Sequence, residues 1–305
     1  MKRFILVLLL LLIALITFNI IVNPQQFFHS IIITLELWLY KVYPAIFTFY
    51  IIAALLINTN IINRVIYILR FLFKKIRFVD ERLTQFFFLS IFTGAPAIID
   101  LIGNSINNKS IIKENANELL KCTSFLNPIF ILSFFSTYNI KYAFILIFVH
   151  TISNFLIALF ENKNNEQTII SKSNTVFLID DLFSSINNVV SLLLVISAMM
   201  VIANIIYFSI TNVIQLFYGK TPLFLNILFM NIEISIGLKE LFSLNFNHNP
   251  TLLICAFITG FGGFSIHLQS YILIKKYNLN YNIFFKYRLY QAVLSTLIII
   301  PFLML

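Results

Sequence analysis

A chain of 305 residues that is 60% hydrophobic and only 11% charged cannot cover a soluble domain of its size, where roughly a quarter of the residues carry charge. Its apolar runs are continuous, as in "FILVLLLLLIALITFNIIV", and this excludes a membrane β-barrel, whose strands alternate in polarity. The net charge of +9 is gathered in a few stretches and reads as cytoplasmic loop charge, not as a nucleic-acid surface. The expected class is all-α, a polytopic helical membrane protein whose surroundings are lipid.

The N-terminus, "MKRFILVLLLLLIALITFNIIVNPQQ", has a basic start and an apolar run of about 19 residues, long enough to span. It lacks the small-residue site of a cleaved signal. Residues 1–25 are therefore expected to form an uncleaved anchor helix with its N-terminus in the cytoplasm. A second apolar stretch, 28–59, contains Glu36 and Pro44, and the proline should kink or divide it. The basic cluster follows over 61–83, with Arg64, Arg70, Lys74, Lys75, Arg77 and Arg82.

Residues 86–103, "FFFLSIFTGAPAIIDLIG", are apolar but interrupted by Gly94 and Pro96. A polar, amphipathic helix is expected over 104–122, and two helices over 123–160. The most polar part, 161–182, reads as a hinge between a first half, 26–160, and a second half, 183–305. The second half opens with a span at 187–211. An apolar segment at 221–245 follows, then a glycine-broken segment at 250–274 and a last helix at 287–304. That makes about eight hydrophobic segments. Thr93-Gly94 and Thr259-Gly260 occupy similar places in the two halves, and interrupted helices at corresponding positions point to a transporter binding site.

The candidate site residues are polar or backbone-loosening groups within apolar surroundings. Gly260, Gly262 and Gly263 allow either close helix packing or an unwound helix, which is tolerable only in protein or at a watery cavity. Ser265 and Gln269 lie one helical turn apart on a shared face, and His267 points elsewhere, as a structural residue or a proton relay. In the first half, Gly94 and Pro96 are the matching interruption. Asp100 is either an intramembrane carboxylate, a functional candidate by default, or a residue at the membrane interface. Asn127, held out of helical torsions by Pro128, marks a helix start that attracts a polar or anionic group, unless Thr123 or Ser124 simply caps that helix.

Glu233, flanked by apolar residues, would cost roughly 2.5–3.5 kcal/mol if left charged in lipid. It should face a polar cavity, pair with a group such as Lys239, or be protonated. Glu36, near Trp38, is a weaker candidate that suits the interface, where tryptophan collects. Arg288, at the start of the last helix, either contacts an anionic solute or snorkels to the headgroups. Cys122 and Cys255 have the spacing of packing residues. No nucleotide loop, zinc spacing or hydrolase signature is present, so neither an enzyme of standard type nor a metal or cofactor is expected.

Six stretches in order carry a resemblance: "LELWLYKVYPAIFTFYIIAALL" from Leu35, "FTGAPAIIDLI" from Phe92, "NANELLKCTSFLNPIFIL" from Asn115, "MNIEISIGLKEL" from Met230, "FITGFGGFSIHLQSYIL" from Phe257 and "YRLYQAVLS" from Tyr287. Together they resemble the YlbJ-type sporulation integral membrane proteins, which group with the nucleoside-recognition (Gate) domain membrane proteins. The resemblance implies two Gate-like halves in the cell membrane that move a small solute of dipicolinate or nucleoside type. It also implies that Gly94, Pro96, Asn127, Glu233, Gly262, Gly263, Ser265, Gln269 and Arg288 match the family's motif positions. Ala97-Ile98-Ile99-Asp100 stands where family members continue with a Gly-x-Lys type stretch, which exchanges a cation for an anion. The competing expectation is a non-transporting scaffold or assembly factor.

Overall fold

The computed structural model describes residues 2–59, 62, 81–136, 138–161, 179–244 and 247–304. Most of the basic cluster at 61–83 and of the hinge at 161–182 lies outside the described residues. Among those described there are helices and no strands. In chain order they are α1 (Lys2–Val22), α2 (Pro24–Leu37), a π-helical turn (Trp38–Val42), α3 (Tyr43–Thr59), α4 (Glu81–Thr93), α5 (Ala97–Asn107), α6 (Lys113–Cys122), α7 (Pro128–Phe135) and α8 (Ile140–Glu161). Then come α9 (Ile179–Tyr218), α10 (Leu223–Phe229), α11 (Ile234–Ser243), α12 (His248–Phe261), α13 (Gly263–Lys276) and α14 (Tyr281–Ile298), closed by a 3-10 turn (Ile300–Met304). Four helical stretches are long and apolar enough to cross a membrane: Pro24–Ile57, Ile140–Phe160, Ile179–Tyr218 and Asn249–Lys276. The protein is a helical membrane protein.

The distortion expected at Pro44 falls one turn earlier. Proline has no N–H and its ring crowds the carbonyl four residues back. The backbone widens instead of breaking, and the Tyr43 N–H bonds to the Trp38 carbonyl five residues away. A single π turn is the usual form of such a relief. The helix expected over 104–122 is divided by a turn at Lys109, whose φ is +56°. The last helix starts at Tyr281, earlier than 287, with the Asn280 side chain accepting from the Asn282 N–H.

α9, at 40 residues, is about 60 Å long, twice the hydrocarbon thickness. It runs against α1, α2, α3 and α13. Asparagines hold it there: Asn212 Nδ2 donates to Asn19 Oδ1 of α1 at 2.5 Å, and Asn204 Nδ2 to the Ser30 carbonyl of α2 at 2.9 Å. Such polar contacts bind helices in lipid, where apolar burial gives little drive. Gly260 allows a close helix approach, since a Cβ there would sit 2.7 Å from Ala292 Cα. Gly260 therefore serves helix packing between α12 and α14, and it is not where the chain unwinds.

Candidate functional site

Two pairs of interrupted helices cross at their interruptions. In the first pair, α4 stops at Gly94 (φ +70°) and α5 begins at Ala97, while α6 and α7 are separated by the non-helical residues 123–127. The Ala95 N–H donates to the Phe125 carbonyl at 2.6 Å. A Cβ on Gly94 would lie 2.7 Å from the Asn127 backbone nitrogen, so only glycine permits this crossing. In the second pair, α10 and α11 are separated by 230–233, and α12 and α13 by Gly262 (φ +92°), with Gly263 at +68°. There the Phe264 N–H donates to the Asn231 carbonyl at 2.6 Å and the Ser265 N–H to the Ile232 carbonyl at 3.0 Å.

The two crossings use the same parts in opposite chain order. The glycine break comes first in one pair, and the side-chain-capped helix comes first in the other. The shared Thr-Gly dipeptide accordingly misaligns them, since Thr93-Gly94 lies at a break whereas Thr259-Gly260 precedes one by two residues.

Backbone in an apolar interior must find internal partners, and here it does. Asn127 caps α7: Oδ1 accepts from the Ile129 and Phe130 N–H groups at 2.8 and 3.3 Å. Its Nδ2 donates to the Phe92 carbonyl at 2.8 Å, at the end of α4, and to the Ala45 carbonyl at 3.4 Å. That occupies both ends of the amide. Thr123 and Ser124, the alternative caps, bond backward to the Leu119 and Leu120 carbonyls. The Leu126 N–H donates to His150 Nε2 at 2.7 Å, a partner on α8 that no sequence pattern announced.

Arg288 corrects the snorkelling expectation. It is 0% exposed and sits inside α14, about two turns beyond its start at Tyr281. Its Nε donates to the Phe261 carbonyl at 3.0 Å and Nη2 to the Thr259 carbonyl at 3.4 Å, both at the end of α12. Nη1 donates to the Ser124 carbonyl and, at 2.7 Å, to Gln291 Oε1. One guanidinium thus covers the negative ends of α12 and α6, as helix dipoles favour, and ties the two crossings together. It has no fork left for a solute.

Asp100 is also buried inside the protein. Tyr277 and Tyr50 hydroxyls donate to it at 2.6 and 2.7 Å, Asn104 Nδ2 at 3.2 Å and Lys276 Nζ at 3.3 Å. The cluster joins α3 and α5 to the end of α13. Gly103 admits it, because a Cβ there would overlap the Tyr277 ring. His267 bonds to the Tyr281 hydroxyl at 2.9 Å and the Phe261 carbonyl at 3.2 Å and lies against the Phe261 ring. Glu36 is exposed on α2.

Between the crossings lies a small cavity of about 50 Å³. Ala95, Pro96, Leu126 and Asn127 line it from the first crossing; Glu233, Ile234, Ser235, Ser265, Ile266 and Gln269 line it from the second. Val42, Ile46, Phe130 and Ile196 complete an apolar wall. Of the residues singled out in the sequence, Pro96, Asn127, Glu233, Ser265 and Gln269 meet here. Gly94, Gly262 and Gly263 shape the chain just behind them. Asp100, His267, Arg288 and Glu36 do not line it.

Glu233 is the N-cap of α11. Its Oε2 accepts from the Ile236 N–H at 2.8 Å, Oε1 accepts from the Ser265 hydroxyl at 3.5 Å, and the Ser235 N–H and hydroxyl also donate to the carboxylate. The ion pairs among the described residues are Lys121–Glu118 and Lys276–Asp100, so the pairing expected with Lys239 is not formed; Lys239 instead lines a separate crevice with Gln26, His29 and Glu240. Gln269 is 3% exposed, and no hydrogen bond ties its amide to the protein among the described residues. No family model, curated protein or solved structure matches this chain.

Proposed function

We propose that the protein is a membrane transporter for a small polar solute, which binds between the two helix crossings and is released by movement of one crossing against the other. The observation that supports this most directly is the convergence of four interrupted segments on one cavity. A buried amide, Gln269, faces into it without a protein partner among the described residues, beside the carboxylate of Glu233, which caps α11. Non-helical backbone at membrane depth, placed around a binding site between repeats, is the arrangement by which carriers alternate access. On this reading the crossings belong to two Gate-like halves and the protein resides in the cell membrane with its N-terminus inside.

A scaffold role draws support from Asn127, Asp100 and Arg288, whose hydrogen-bonding groups are all occupied internally. The two readings separate by access. A Gln269→Cys variant, in a background with Cys122 and Cys255 changed to Ala, is treated with a membrane-impermeant thiol reagent in right-side-out and inverted vesicles. A transporter is labelled from both sides. Protection on both sides would remove the transport reading and leave the scaffold.

A further inference from the structure

The electrostatics of the cavity narrow the chemistry of its occupant. Helices α5, α7, α11 and α13 all begin at the crossings, and free helix N-termini bind anions. Here most of those N–H groups are already taken. Ile129 and Phe130 give theirs to Asn127, and Ile236 gives its own to Glu233. Phe264 and Ser265 donate to Asn231 and Ile232, and Ile98 and Ile99 to Gly94 and Pro96.

The nearby buried cation, Arg288, is turned onto the Ser124, Thr259 and Phe261 carbonyls. Besides Asn127, the polar side chains at the cavity are Glu233, Ser235 and Ser265, with both serines hydrogen-bonded to the carboxylate, and Gln269, whose amide has no protein partner among the described residues. Glu233 is the one ionisable side chain among them. The carboxylate and the amide oxygen accept hydrogen bonds, the one ionisable group is an acid that disfavours an anion, and an unpartnered buried amide is costly unless a ligand completes its hydrogen bonds.

Resting on the transporter reading, we infer that the solute presents N–H or O–H donors to Glu233 and Gln269 and carries no net negative charge: a small amidinium, ammonium or amide-type molecule whose apolar side meets Ile46, Phe130 and Ile196. This departs from the dicarboxylate that the family resemblance implies. The reason is geometric: the arginine and most of the helix N-terminal N–H groups that would hold an anion are bonded to the protein itself.

Acetamidinium, acetamide and acetate have the same planar shape and differ in donors and charge. Full-length protein in detergent is titrated with each, reading ligand-induced thermal shift, which rises with binding to the folded state by mass action. Saturable shifts are expected with acetamidinium, then acetamide, and not with acetate. Glu233→Gln, which keeps an acceptor for the Ile236 N–H, should weaken acetamidinium by roughly tenfold or more. Gln269→Leu, which breaks no protein hydrogen bond, should also weaken it. Acetate binding as well as acetamidinium, absence of any binding, or binding indifferent to both substitutions overturns the inference. Acetamidinium binding without labelling of Gln269→Cys from both sides leaves the ligand assignment standing and removes transport alone.

Discussion

Gly262 lies against the guanidinium of Arg288, so closely that a Cβ built on the glycine would sit 2.4 Å from Nη2. The same residue turns the chain through φ +92° between α12 and α13. Gly262→Ala therefore meets two penalties, a left-handed backbone worth about 1–2 kcal/mol and displacement of the arginine from the carbonyls it covers. A fall in the thermal midpoint of the detergent-solubilised protein is expected, larger than for Gly219→Ala. Gly219 shares the positive φ (+72°), but a Cβ there meets nothing within 4 Å. Equal falls would show that the arginine contact contributes nothing.

Arg288→Lys should be nearly as damaging as Arg288→Met. A guanidinium presents donors in a fixed fork, whereas an ammonium is a single point. It cannot reach Ser124, Thr259 and Phe261 together. Each carbonyl left without a partner costs about 1–3 kcal/mol, enough to lower yield and monodispersity on size-exclusion chromatography. A lysine variant with wild-type behaviour would falsify the bridging role.

At Asp100 the hydroxyl donors should outweigh the ion pair. Lys276 is the more distant partner at 3.3 Å and its side chain is 55% exposed, so Lys276→Ala should cost at most about 1 kcal/mol. Tyr277→Phe removes a 2.6 Å bond to a buried carboxylate, with an expected loss of about 1.5–3 kcal/mol. Thermal midpoints of the two variants settle the order, and a larger effect from Lys276 would reverse the account.

Asn127 and Gln269 share the cavity wall but should separate stability from binding. Asn127→Leu removes the cap of α7, worth about 1 kcal/mol, and strands the Phe92 carbonyl, so the midpoint falls. Gln269→Leu removes an amide with no protein partner and should leave the midpoint unchanged or raised, while solute binding is lost. A destabilised Gln269→Leu would mean that the amide has a structural partner after all.

The helical class and most places where helices stop are written locally. Continuous apolar runs demand helices in lipid because no other open structure satisfies the backbone, and Gly94, Pro96, Asn127-Pro128 and the glycines at 260–263 are visible as interruptions. Glu233, Ser265 and Gln269 stood out because polar groups in an apolar run are expensive wherever they point. Which break belongs with which, and which glycine of 260–263 turns the chain rather than packs it, depended on partners far away in sequence.

The same is true of the buried charges. Composition makes Asp100 and Arg288 conspicuous, but only the assembled fold brings two tyrosines, an asparagine and a lysine to the one, and the ends of α6 and α12 to the other. Hydrophobicity is a property of each segment and fixes its environment before folding. Hydrogen-bond partnership is a property of pairs, so the tertiary structure alone decided that Arg288 is occupied by carbonyls while Gln269 keeps a free amide toward a cavity that Glu233 also lines.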